Sequence, residues 1–550
     1  MKSKKQEQDN RAQVDFAFPK EWTMYGPVGK ADPEPDFAVM TDIPKELSIA
    51  GRQLAGQKAV FTDNRLDLGA LLGGKAVGKT AYLLAAIQAD KAMEIELGAG
   101  ADWWMKWWVN GEVVCDTLGT GNFVHPPGIM DHRFTARLKA GRNLIAVKVM
   151  SGSASFALAG GSSHEMETIQ SRGETARRQW RESLAASGKP MALIKEDWET
   201  VKTRCTHWWA NELYDRTLVM VNAPKQGTGK IDSYPGAVTR ETTLIDAEYM
   251  IWSLENKIRT TFYGGESTPV LTPQCSFTGP LFMGCEPKFI SSGLRKVDPL
   301  PAGADGYPLI RFHRENWYWQ ATREGTIRAA KASRGCWFVN PVSENTGDTL
   351  AGIRGVQNLM IDIVENPTWV KQAVNQLSGI LIEISGETWT LVDENITGLE
   401  GSVASEVWAP GRGQFLGCDM AVNLSPKQFE ELFLPSIIEQ MRTVDYRCFH
   451  MDGYVQHLDL LLALPELQAI QFYPPDIHAP HGSILPWIPL IKRIQRAGKA
   501  VLTYARSEEI PALLGEVSAR GLCVGTIGDC ASEQEARDLV HLVGRLSRER

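Results

Sequence analysis

The 550-residue sequence lacks most of what would set it apart from ordinary globular enzymes. No run of eighteen apolar residues occurs, so no membrane-spanning helix and no membrane partner is expected. No block of Lys and Arg occurs, and a net charge of −7 is small for this length, which argues against a nucleic-acid partner. Nine cysteines lie scattered without a Cys-x-x-Cys pair, so a disulfide framework is not expected and a reducing compartment is. The basic start MKSKKQEQDN leads into no apolar segment, which argues against a secretory signal. A cytoplasmic location follows as the expectation. No internal repeat is present.

What the chain does contain divides by pattern. Residues 1–15 are charged and read as a disordered tail. Over residues 16–160, short apolar runs at 81–87 and 92–97 are flanked by glycine or charge. Two strand-like runs between Ala101 and Val114 meet at Asn110-Gly111, a strong hairpin signal. Residues 134–149 alternate on both sides of a turn at 139–143. Such spacing predicts an all-β sandwich. The W…VNG…V turn followed by LKAGRNLIAVKV resembles the galactose-binding-like jelly-roll modules found beside carbohydrate-active catalytic domains. That resemblance implies a module that binds sugar or one that braces its neighbour. Trp103, Trp104, Trp107 and Trp108 then form either an aromatic sugar platform or packing for the core and an interface.

Residues 161–215 read as linker and helices. The Gly/Ser-rich part, 152–173, is the linker, and 174–214 form one or two amphipathic helices burying Trp180, Leu184, Leu193, Trp198, Val201 and Trp208. From residue 216 to 550, apolar runs alternate with helix-period segments. Expected strands are 218–222, 270–273, 337–340, 402–408, 447–450, 469–472, 500–504 and 522–526. Expected helices include 367–383, 426–441, 486–497 and 533–546. The predicted fold class is therefore multidomain, an N-terminal all-β jelly-roll sandwich plus a C-terminal α/β TIM-type (β/α)8 barrel. In such barrels the chemistry sits at the strand C-termini. There the sequence places His450-Met451-Asp452-Gly453 after one strand and Tyr473-Pro474-Pro475-Asp476 after the next.

One motif points elsewhere. Gly73-Gly74-Lys75-Ala76-Val77-Gly78-Lys79-Thr80 matches a nucleotide-binding P-loop letter for letter, and residues 358–362, ending in Asp362, could pass for its partner strand. The motif has meaning only between a buried strand and a helix N-terminus, and neither flank reads that way.

The stretch from Gly413 to Pro435, with Asp419 followed by Ser425-Pro426 and Phe429, resembles the segment before the fifth strand of the uroporphyrinogen decarboxylase superfamily. His450-x-Asp452-Gly453, Gly521-Leu522 and Glu533-Gln-Glu-Ala-Arg537 resemble further signatures of that superfamily. The resemblance covers most of residues 200–550. It implies one of two chemistries. Porphyrinogen decarboxylation uses an arginine-rich loop that has no counterpart in residues 218–227. Zinc-assisted methyl transfer with a corrinoid protein uses His-x-Cys and a distant Cys. His450 matches, Asp452 replaces the first Cys, and Cys530 falls where the second would, so His450, Asp452 and Cys530 could make a three-ligand zinc site; the alternative is that His450 and Asp452 hydrogen-bond substrate or each other and Cys530 starts a helix with no metal. Cobalamin would come only with a partner corrinoid protein, since this chain has no Asp-x-His-x-x-Gly. The superfamily resemblance also implies a homodimer.

Asp419, His450, Asp452 and Tyr473 are the expected catalytic residues, with Gln274, Asn340, Trp408 and Gln471 facing a small-molecule substrate. Asp419 has two competing structural roles, a cap on the helix starting at Pro426 or a pair for Arg412. His457, His478 and His481 are further histidines near the site. Residues 473–486 read as a lid or an extended loop. The expected function is methyl transfer or demethylation of a small substrate, with carbohydrate derivatives among the candidates. The alternatives are a carbohydrate lyase or hydrolase, and a non-catalytic sugar-binding protein.

Overall fold

The structure, a computed structural model, describes residues 16–72, 78–122, 127–151, 156–188, 190–228, 234, 246–273, 278–289, 295–479 and 482–547. The chain divides into two compact units: Met1–Arg178 with Asp232–Thr243 and Phe289–Leu294, and Gln179–Ile231 with Leu244–Lys288 and Arg295–Arg550. No helix among the described residues is long and apolar enough to cross a membrane.

The first unit is built from β1 Glu21–Gly29, β2 Glu46–Ile49, β3 Arg52–Ala55, β4 Gln57–Val60, β5 Arg65–Asp67, β6 Lys79–Ala89, β7 Met93–Ala101, β8 Trp103–Val109, β9 Glu112–Asp116, β10 His132–Leu138, β11 Gly141–Ser151 and β12 Ala157–Ser162. Two antiparallel sheets, β4-β1-β6-β11-β8-β9 and β10-β7-β12-β5, share one core. Strand alternation explains the run TAYLLAAI in β6. Ala81, Leu83, Ala85 and Ile87 face the core between the sheets, whereas Tyr82 and Leu84 face a second cluster with Phe37, Leu47 and Ile49. The tryptophans divide the same way. Trp107 packs in the sandwich core and Trp108 on the opposite face against Phe37, while Trp103 and Trp104 stay half-buried. Asn110 and Gly111 have φ of 49° and 81°, the left-handed pair that a two-residue hairpin requires.

Two expectations change. The turn at 139–143 is no hairpin: β10 pairs with β7 and β11 with β6 and β8, so the chain crosses between sheets there. Asn143 stitches the crossing, its amide donating to the carbonyls of Lys139 and Gly141 at 2.8 and 3.0 Å. Part of the expected linker is instead strand β12 and the helix Ser163–Ser187. Its glycines serve close packing: a Cβ on Gly160 would lie 2.5 Å from the Phe18 ring. As its flanks implied, the P-loop match does not open a helix: Lys79-Thr80 begin a strand, and residues 73–77 lie outside the described residues. Asp362 lies in a helix, paired with Arg354.

The second unit contains β13 Leu218–Pro224, β14 Thr261–Gly265, β15 Val270–Leu271, β16 Glu286–Phe289, β17 Arg295–Asp298, β18 Phe338–Val339, β19 Ser402–Ala404, β20 Val407–Ala409, β21 Gly413–Leu416, β22 Tyr446–Asp452, β23 Ala469–Tyr473, β24 Ala500–Ala505 and β25 Leu522–Thr526. A seven-stranded sheet runs β14-β13-β25-β24-β23-β22-β21, parallel from β13 to β21. β15 and β18 pair in parallel with each other only, so no ladder among the described residues closes a ring. One strand was misplaced by the sequence reading. Residues 402–408 form the antiparallel hairpin β19–β20, and the parallel strand is β21.

Alternation along the parallel strands separates two cores. Val219, Phe449, Ile470 and Val501 face the helices. Leu218, Cys448, Ala469, Ala500, Leu502 and Cys523 face an inner cluster. The small inner side chains leave room for Trp208 and Trp209 of the helix Trp198–Trp209. This inner core gathers the early positions of the strands, and the polar inner positions of β22, β23 and β24 come two or four residues later.

Candidate active site

At the C-terminal ends of β22, β23 and β24, the inner positions change from apolar to polar. His450 and Gln471 are register partners, and their side chains meet with His450 Nδ1 3.0 Å from Gln471 Oε1. Gln471 Nε2 donates to the Tyr504 hydroxyl at 2.6 Å, which in turn donates to Glu406 Oε2 at 2.8 Å. The Phe415 ring lies 5.1 Å from the His450 ring. Phe415 is 40 % exposed, an aromatic surface left open beside a polar cluster. Burial holds the Tyr504 phenol neutral, its pKa raised further by Glu406.

Asp419 approaches from the loop after β21, as the first residue of the short helix Asp419–Asn423. The Asp348 carboxylate accepts from the amides of Asp419 and Met420. His457 holds the same short helix from below through a 2.8 Å contact of Nε2 with the Ala421 carbonyl, and burial keeps its ring neutral. Asp419 keeps an exposed surface, yet its carboxyl is pushed up to about 6, first by desolvation and then by Asp348, with Asp452 adding and His450 opposing. Its competing structural roles belong to other residues. Ser425 caps the helix at Pro426 in a capping box with Gln428, and Arg412 pairs with Asp393.

Asp452 ends β22 exposed and in register with Tyr473. The Tyr473 ring lies 4.7 Å from that of Tyr504 and 6.2 Å from His450, and its hydroxyl contacts His478 Nε2. Arg506 ties down the segment after β23, donating to the carbonyls of Gly482 and Ala479 at 3.0 and 2.6 Å. Residues 480 and 481, His481 with them, lie outside the described residues.

The structure thus brings His450, Gln471 and Tyr473 into one cluster and sets Asp419 and Asp452 within its field. It does not add the others. Gln274 lies outside the described residues. Asn340 donates to Thr272 at 3.5 Å beside the separate β15–β18 pair. Trp408 is instead buried in the inner core against Trp198, its carbonyl accepting from Trp209 Nε1 at 2.9 Å and its indole donating to the Glu400 carbonyl. Its strand is a hairpin whose turn, not its ends, faces the site. His450, Asp452 and Cys530 are not gathered into one ligand set either. Among the described residues no three His, Cys, Asp or Glu side chains stand together as ligands. Cys530 is buried after β25, three strands beyond His450, with its amide donating to the Asn222 carbonyl and burial raising its thiol.

Four residues of the cluster were missed: Asp348, Glu406, Phe415 and Tyr504. Tyr504 was legible, since it ends a correctly placed strand at the same parity as Tyr473. Glu406 and Phe415 were hidden by the misplaced strand, and Asp348 approaches from a different element.

No family model matches the chain, and no curated protein does. Among solved structures, it is similar to a methyltransferase from Methanosarcina mazei at 13% identity and a TM-score of 0.42, over 63% of this chain and 98% of that one. A β-glucuronidase from Faecalibacterium prausnitzii is similar at 15% identity and a TM-score of 0.17, over 24% of this chain and 20% of that one. A family 35 carbohydrate-binding module from Clostridium thermocellum is similar at 14% identity and a TM-score of 0.12, over 20% of this chain and 77% of that one. Likenesses this remote carry no functional argument.

Proposed function

We propose that the second unit is a uroporphyrinogen-decarboxylase-like enzyme that demethylates a small O-methylated substrate, with a corrinoid protein as methyl acceptor. The sequence signatures around Asp419, His450 and Glu533 support the superfamily. What supports the reaction type is the placement of Asp419 after β21, its backbone anchored by Asp348 and its carboxyl, within the field of His450 and Asp452, raised to about 6. Breaking a methyl–oxygen bond leaves an alkoxide, which needs a proton at the moment of cleavage. A carboxyl tuned toward neutrality supplies one, typically worth about 100- to 10,000-fold in rate. A corrinoid partner would supply the nucleophile that takes the methyl group, while Asp419 gives its proton to the leaving oxygen and the product is an alcohol. Phe415 and Tyr473 provide the apolar walls for the methyl-bearing part.

The test is methylcobalamin formation by the purified protein from free cob(I)alamin and a panel of methoxylated aromatics and sugars. Turnover by wild type, lost about 100-fold or more in Asp419→Asn, is the expected result. Turnover that survives in Asp419→Asn would rule out the general-acid role.

A further inference from the structure

Glu406 stands out because it occupies a position that its backbone disfavours. Ser405 and Glu406 form the turn of the β19–β20 hairpin with φ of 45° and 71°. Two successive left-handed residues are the province of Asn and Gly, and non-glycine residues there carry a conformational cost. The turn directs the Glu406 carboxylate at the Tyr504 hydroxyl, 2.8 Å away.

From that contact the proton positions follow in sequence. A carboxylate only accepts, so the single hydroxyl hydrogen of Tyr504 must point at Glu406. The Tyr504 oxygen is then left to accept, and the group 2.6 Å from it on Gln471 must be the donating amide nitrogen. An amide's two ends are told apart by the network they satisfy. Gln471 therefore turns its carbonyl oxygen to His450 Nδ1 at 3.0 Å, and a carbonyl oxygen only accepts.

We infer that Glu406, acting through Tyr504 and Gln471, fixes neutral His450 in the tautomer with its proton on Nδ1 and its lone pair on Nε2. Glu406, Tyr504 and Gln471 are positioning residues in this arrangement. Gln471, expected to bind substrate, is committed at both ends of its amide. What the site receives is an imidazole whose free nitrogen accepts a proton or a hydrogen bond and never donates one while neutral. A free imidazole prefers the opposite tautomer, so the arrangement leaves a distinct signature. The tautomer is set whatever reaction the site performs.

The experiment is long-range 15N–1H correlation on the 15N-histidine-labelled full chain at a pH where histidine is neutral. The His450 signals are identified by their loss in His450→Gln. Wild type is expected to show the Nδ1–H form as the dominant one. Tyr504→Phe, which keeps the ring beside Tyr473, and Glu406→Ala are each expected to reduce it to the minor one. Nε2–H in wild type overturns the inference with no variant needed, and so does an unchanged Nδ1–H form in either variant. Demethylation is read separately, so failure of the proposed reaction leaves this result standing.

Discussion

Asp348 accepts from two successive backbone amides, those of Asp419 at 2.9 Å and Met420 at 2.8 Å, and so sets one carboxylate directly behind another. Asp348 is itself fixed by Asn345, whose side chain accepts from the Asp348 amide at 2.8 Å and donates to its carboxylate at 2.6 Å. A negative group that could have been an amide or a hydroxyl anchors the acidic residue, and its charge adds to the desolvation that raises the Asp419 carboxyl.

Asp348→Asn retains one oxygen for the cap and removes the charge. The Asp419 carboxyl should then titrate at lower pH, by less than about one pH unit because it is partly open to solvent. The sign for stability follows. A carboxyl raised from 3.8 to about 6 binds its proton more tightly in the folded chain, so its contribution is full below 3.8 and lost as pH rises through about 6. Asp419→Asn should therefore be neutral for stability at pH 4 and gain roughly 1 kcal/mol or less at pH 8, discounted for solvent exposure. A 13C titration of the Asp419 carboxyl and urea unfolding at both pH values are the measurements. An upward shift in Asp348→Asn would contradict the placement.

Seven of the eight expected parallel strands were legible because an apolar run bounded by glycine or charge is all that a strand buried on both faces presents. The eighth failed for the same reason. Residues 402–409 and 413–416 are both short and apolar, and nothing local says that the first folds back on itself at Ser405-Glu406, where no Asn or Gly marks a turn. His450, Gln471 and Tyr473 could be picked out because they stand at the C-terminal ends of two expected strands. The contact of Asp348 with Asp419 spans 71 residues of sequence and has no periodic signature. Trp408 shows the opposite error, a large aromatic read as a substrate wall when its indole satisfies the Glu400 carbonyl inside a core.

Trp408→Ala should thus act on stability alone. It empties a site against Trp198 and Trp209 and strands the Glu400 carbonyl, a loss of about 3–5 kcal/mol. Denaturant midpoints should fall steeply while the affinity of the folded fraction for substrate stays as in wild type. A selective loss of substrate affinity without loss of stability would return Trp408 to the site.

The first unit carries a second pair of shifted groups whose effects oppose each other. Asp131 is buried, accepts from Asn122 Nδ2 at 3.0 Å and from the Gly128 amide at 2.9 Å, and burial pushes it up to about 7. Its neighbour His132 contacts the same Asn122 through Oδ1 at 2.9 Å, and burial pushes it down to about 4. Raised Asp131 costs stability as pH rises from 3.8 toward 7, whereas depressed His132 costs stability as pH falls from 6.5 toward 4. Between about pH 4.5 and 6.5 the two slopes have opposite sign and similar size, each on the order of 1 kcal/mol per pH unit. Asp131→Asn keeps an oxygen for both donors and removes one slope, so the variant should gain stability with rising pH across this window. His132→Gln should do the reverse. Urea unfolding of the full chain, followed by tryptophan fluorescence at half-unit pH steps, reads both, and parallel curves for wild type and the two variants would show that the buried pair does not titrate in this range.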